Sequence, residues 1–152
     1  MKTKSGLFIE LWQEARTRFS SQIEHILESD LKKRLPPCNN SLGFLIRHIG
    51  EVELLFSKNV FGEKEVRVTA KTIIAQKDTG EWTDLEELKN YVHNSYETLK
   101  KVIEKQNDED WESIVETKEF GKKNKAEAFG RIISHTTYHA GQMAIINKYG
   151  SI

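Results

Sequence analysis

The sequence predicts an all-α fold, a four-helix bundle, on three observations. The chain has 152 residues, which suits one domain over 1–152 and leaves no room for a second core. Four stretches repeat apolar residues at three- and four-residue spacing, the signature of helices with one buried stripe. Cap residues precede three of these stretches, and four such helices bury one another most simply as a bundle.

Helix one begins near Leu7, where Phe8, Leu11, Trp12, Ala15, Phe19, Ile23, Ile26 and Leu27 share a stripe, and is expected to run to about Leu35. Pro36 and Pro37 stop it there, because proline lacks the amide donor and restricts the residue before it. Asn39, Asn40 and Ser41 offer cap oxygens to a second helix carrying Leu42, Leu45, Ile46, Ile49, Val52 and Phe56, ending between Ser57 and Val60. Thr83 with Glu86 reads as a capping box for helix three, which carries Leu85, Leu88, Val92, Leu99, Val102 and Ile103. Asn124 with Glu127 repeats the signal before helix four, with Phe129, Ile132, Ile133, Ala140, Met143, Ala144 and Ile146. Lys148 suits the last turn of that helix, and Gly150 suits a left-handed cap.

The connection from Phe61 to Trp82 includes the strand-like Val66-Arg67-Val68-Thr69 and is long enough to cross the bundle, leaving helices two and three parallel. Ser113 to Thr117 and Phe120 to Lys123 suit a short hairpin over one bundle end.

Lysine plus arginine and aspartate plus glutamate both total 23, so the net charge is zero with histidine neutral. That balance supplies no field for nucleic acid or an anionic membrane. One cysteine, Cys38, excludes an internal disulfide, and no apolar signal core follows the basic start. The expectation is a soluble cytoplasmic protein.

Chemistry concentrates in His135-Thr136-Thr137-Tyr138-His139. Helical residues four apart differ by about 40° around the axis and about 6 Å along it, so two imidazoles can converge on one ion. Two buried neutral imidazoles bonded to backbone or hydroxyls are the competing reading. His48 lies at the edge of the apolar face of helix two, about 12 Å from its start, while His139 lies about 14 Å from the end of its own helix. Antiparallel packing would bring the two level. Three nitrogen ligands suit zinc, nickel, iron or manganese and leave positions open for water or substrate. Thr136 stands where a zinc protease has its glutamate, so that class drops out.

The stretch Asn40-Ser41-Leu42-Gly43-Phe44-Leu45-Ile46-Arg47-His48-Ile49-Gly50-Glu51-Val52-Glu53, together with His135-Thr136-Thr137-Tyr138-His139-Ala140-Gly141-Gln142, resembles the DinB superfamily of metalloenzymes. The resemblance implies an up-down-down-up four-helix bundle with a long crossover between helices two and three. It also implies a divalent metal held by His48, His135 and His139. Characterised members of that superfamily include S-transferases using bacillithiol, mycothiol or glutathione and a maleylpyruvate isomerase, and dimers are common. The function expected is thus thiol-dependent S-transfer to a small molecule, with a low-molecular-weight thiol as co-substrate. Metal-dependent hydrolysis and a non-catalytic metal-binding stress protein are the alternatives.

Glu51, one turn after His48, is the candidate catalytic residue, able to reach the metal or take a proton from bound water; pairing with Arg47 or Lys58 is its other reading. Gln142 either orients a ligand or is a polar face residue. Gly50 and Gly141 suggest close helix approach, Tyr138 packing or an interface, and His25 and His93 solvated positions. Leu54 and Leu55 lie beyond a single apolar stripe and suggest a homodimer through a helix face.

Overall fold

The computed structural model describes residues 2–152. Its elements are α1 (Lys4–His25), α2 (Leu42–Asn59), α3 (Lys71–Ala75), α4 (Leu85–Glu104), β1 (Ile114–Thr117), β2 (Gly121–Asn124) and α5 (Lys125–Tyr149). The fold is all-α apart from one two-stranded hairpin, with α2 packed on α4 and α5 and with α1 on α5. No helix among the described residues is long and apolar enough to cross a membrane.

Helix one is shorter than expected. It stops at His25 because Ile26 turns to extended backbone, and Asp30 then accepts the Leu27 amide to start a 3-10 turn over Glu28–Lys32. The break has a packing reason. Ile26 and Leu31 are both buried, yet on one continuous helix residues five apart point about 140° away from each other.

Ser41 caps α2 as expected, its hydroxyl accepting from the Phe44 amide at 3.2 Å. The cap of α4 is Asp84 rather than Thr83: the Asp84 carboxylate accepts from the Glu87 amide at 2.9 Å. Both registers satisfy the capping pattern, and the aspartate brings a negative charge to the positive end of the helix dipole. Before α5 the reciprocal box is complete, with Asn124 accepting from the Glu127 amide and Glu127 from the Asn124 amide.

Gly150 closes α5 but not in a left-handed conformation; its φ is −75°. Its need for glycine is close approach, since a Cβ there would lie 2.5 Å from the Ile146 carbonyl oxygen and 2.8 Å from that of Arg34. Ser151 and Arg34 exchange two backbone hydrogen bonds beside it.

The hairpin falls where the sequence put it, with Ile114 opposite Asn124 and Thr117 opposite Gly121. In the long connection, Val66 to Thr69 form no strand and lead instead into α3. Three contacts hold this connection. A Cβ on Gly43 would sit 1.9 Å from the Trp82 carbonyl oxygen, Asp78 accepts the Ser41 amide, and Glu51 accepts the first amides of α3.

The core divides into two apolar clusters. One gathers Phe19, Leu45, Ile49, Leu88 and Met143, and the other Trp12, Phe56, Leu99, Trp111, Phe129 and Ile132. At their boundary each long helix contributes a buried polar residue: Arg16, Glu53, Ser95 and Thr136. Arg16 donates to Glu53 and to the Val92 carbonyl, and Ser95 donates to Glu53, so most of this layer is internally satisfied. Leu54 is only 3% exposed and packs inside the chain, which removes one of the two residues that suggested a helix-face dimer.

Candidate metal centre

The three histidines, from distant parts of the sequence, meet between α2 and α5. His48 comes from α2, and His135 and His139 come from successive turns of α5. Their ring centroids are 5.0 Å apart for His48 and His135, 5.0 Å for His48 and His139, and 4.4 Å for His135 and His139. One ligand atom from each lies within 4.8 Å of the others, and the Nε2 atoms of His48 and His135 are 3.1 Å apart. All three rings are half-buried, and Phe44 stacks on His48.

Burial keeps the rings neutral. Desolvation, reinforced by the neighbouring His139, lowers the His48 pKa to about 4. Desolvation, with His139 and His48 adding to it, lowers that of His135 to about 3. His139 is lowered as well, again by burial, with its bond to Gln142 acting the other way. At neutral pH the cluster offers imidazole lone pairs without first losing protons.

Hydrogen bonds orient two of the rings. His139 Nδ1 donates to Gln142 Oε1 at 2.7 Å, which leaves its Nε2 free to ligate. His48 Nδ1 lies 2.9 Å from Thr72 Oγ1. His135 Nδ1 is buried with no partner. This donor set fits a divalent transition-metal ion. Metal–nitrogen bonds of about 2.0–2.1 Å at near-tetrahedral angles place neighbouring nitrogens about 3.3 Å apart, close to the separation seen between His48 and His135.

Glu51 sits elsewhere than a base on the ion would. It is fully buried and accepts from Arg47 Nε, from the amides of Lys71 and Thr72, and from the Thr72 hydroxyl. Its link to the histidines runs through Thr72. Of its two sequence readings, the pairing with Arg47 is present, but in the interior rather than at the surface. Gln142 orients an imidazole. Gly50 marks close helix approach, since a Cβ there would lie 2.8 Å from the Tyr91 ring, whereas a Cβ on Gly141 meets nothing within 4 Å. His25 and His93 are exposed, as expected.

Thr72 escaped sequence reasoning. It lies in the irregular crossover, twenty-four positions from His48, and no spacing rule connects the two. A cavity of about 630 Å³ lies between the end of α2 and the hairpin and is lined by none of the three histidines.

The sequence pattern of the DinB superfamily matches residues 11–143, a span that includes all three histidines, Glu51 and Thr72. The chain belongs to the DinB superfamily. Its fold is similar to that of a mycothiol-dependent maleylpyruvate isomerase, with a TM-score of 0.71 at 15% identity over 94% of this chain and 63% of the isomerase. The DinB chain thus spans less than two thirds of that protein's length. A conserved protein from Enterococcus faecalis is similar over 97% of both chains, with a TM-score of 0.69 and 15% identity. At these identities the likeness establishes the fold. Among curated protein sequences none matches this DinB chain.

Proposed function

We propose that this chain is a divalent-metal-dependent enzyme whose ion is held by His48, His135 and His139, and that it activates a low-molecular-weight thiol for transfer to a small electrophile. The observation that carries this reading is the convergence of three neutral imidazoles from α2 and α5, with two Nε2 atoms 3.1 Å apart. A bound divalent ion supplies a Lewis acid that lowers the pKa of a thiol or water, and three ligands leave positions open for it. Zinc, nickel, iron and manganese all suit the nitrogen donors. The chain's own contribution is orientation: Gln142 fixes His139, and Thr72 touches His48.

Thiol use is favoured over hydrolysis by one structural fact. Glu51, the carboxylate nearest in sequence to a ligand, is saturated by donors and is not free to take a proton from water. The mycothiol dependence of the similar isomerase agrees with this preference. The up-down-down-up order expected of a single domain is supported by residue pairs. Gly43 lies against Trp82 and Gly50 against Tyr91, as parallel α2 and α4 require, while Arg16 meets both Glu53 and Val92. A homodimer is supported by exposed apolar side chains on α5, Tyr138 at 65% and Ile145 at 51%.

The deciding experiment measures metal content of protein purified without chelator. It then assays a chloronitroaromatic electrophile with bacillithiol, mycothiol or glutathione, and without thiol. Stoichiometric metal and thiol-dependent consumption are expected. Turnover with water alone would replace the reading by hydrolysis, and bound metal without turnover by a structural metal site.

A further inference from the structure

Thr72 is nearly inaccessible, and its hydroxyl lies between two side chains of α2: Oγ1 is 2.5 Å from Glu51 Oε2 and 2.9 Å from His48 Nδ1. A hydroxyl has one proton to give, and a carboxylate can only accept. The Thr72 proton therefore goes to Glu51, and the contact with His48 is an N–H donated by Nδ1. That assignment leaves the lone pair of His48 on Nε2, the atom 3.1 Å from His135 Nε2.

Glu51 has a second task. The N-cap of α3 is Ala70, which has no side-chain oxygen, and Glu51 accepts instead from the amides of Lys71 and Thr72 at 3.1 and 3.0 Å, the Lys71 amide being shared with the Thr69 carbonyl at 2.9 Å. The same carboxylate thus docks α3 on α2 and orders the hydroxyl that meets His48.

We propose that Thr72 and Glu51 are positioning residues that hold His48 in its Nδ1–H tautomer, and that docking of α3 and ion binding at His48 are therefore reciprocally linked. The tautomer half stands on the hydrogen bonds alone; the linkage half rests on the metal reading above. Reciprocity follows from thermodynamics: if a docked α3 presents the ligating tautomer, an ion that engages it favours the docked state by the same factor.

The test compares the full chain with Thr72→Val, Thr72→Ser and Thr17→Val, the last removing a hydroxyl that bonds only within α1. Proton–nitrogen correlation spectra of the imidazoles above pH 7 report the His48 tautomer in metal-free protein. Competition titration reports zinc affinity, and hydrogen exchange reports the amides of Lys71 and Thr72. Wild type, Thr72→Ser and Thr17→Val should show His48 as the Nδ1–H form, and zinc should slow exchange of the two amides. Thr72→Val should populate the other tautomer, bind zinc about 10- to 100-fold more weakly and lose the zinc-dependent protection. A wild-type His48 protonated at Nε2, or a Thr72→Val chain with unchanged tautomer and affinity, overturns the proposal. Absence of zinc binding in wild type with the Nδ1–H tautomer intact overturns the linkage and the metal reading while upholding the positioning role. Should Thr72→Val fail to fold, the wild-type tautomer and Thr72→Ser still decide.

Discussion

Arg16 Nε donates to Glu53 Oε1 at 2.7 Å, with both side chains almost completely withdrawn from water, and this pair joins α1 to α2 between the two apolar clusters. Removing one member leaves a buried charge without its partner, which costs far more than removing both. Glu53→Ala is expected to destabilise the chain by about 3–5 kcal/mol, and Arg16→Met combined with Glu53→Leu by much less. Urea unfolding of the three proteins checks this; equal losses in the single and double variants would contradict it.

His48→Ala, His135→Ala and His139→Ala should each weaken metal binding severely, because two imidazoles remain where three converged. His25→Ala and His93→Ala should bind as wild type, since both rings lie at exposed positions. Metal stoichiometry by elemental analysis makes the comparison, and retention of metal in any of the first three variants would count against the ligand set.

Acid should destabilise the metal-free protein before its carboxylates titrate. In the unfolded chain His48 and His135 take up protons near the ordinary value of 6.5, but in the folded chain only near about 4 and about 3. The unfolded state therefore binds more protons in this window, so stability rises with pH across it and is lost as pH falls from about 6.5 toward 4. The slope is at most about 1.4 kcal/mol per pH unit for each histidine. Denaturant midpoints measured across that range should decline toward acid, and should flatten in a chain with both histidines replaced by leucine.

Two glycines should respond oppositely to an added methyl group. At Gly43 a Cβ collides with the Trp82 carbonyl oxygen, so Gly43→Ala should cost about 1–3 kcal/mol through forced backbone displacement. At Gly141 the space is open and the backbone helical, so Gly141→Ala should stabilise by about 0.4–1 kcal/mol. Thermal melts of both variants test the pair, and a stabilised Gly43→Ala would mean that Trp82 moves freely.

The four long helices and the His135–His139 pair were legible because each rests on local periodicity, whereas His48, 87 positions from His135, was reached through its axial level and the family resemblance. An apolar stripe, a cap three residues ahead of a glutamate and an H-x-x-x-H pair are all read within one or two turns. The break at Ile26 was not legible, because it is set by the need to bury Leu31 against helices far along the chain. Asp84 displaced Thr83 because two overlapping capping patterns satisfy the same rule. Thr72 and the Arg16–Glu53 pair depend on contacts between segments 24 and 37 positions apart, which no window of sequence contains.

The unpartnered Nδ1 of His135 has an evolutionary meaning. A ring nitrogen buried without a hydrogen-bond partner is a local frustration, tolerated in the metal-free fold because the opposite nitrogen faces the other two imidazoles. Selection for folding alone would favour a leucine of similar bulk there, so the metal-free His135→Leu chain should melt at a higher temperature than the metal-free parent, even as it loses one of the three converging imidazoles. Should it melt lower, the imidazole is a structural asset and the frustration lies elsewhere. On the proposed metal reading, the position is one where durability and capability pull the sequence in opposite directions, and the residue present is the one that favours capability.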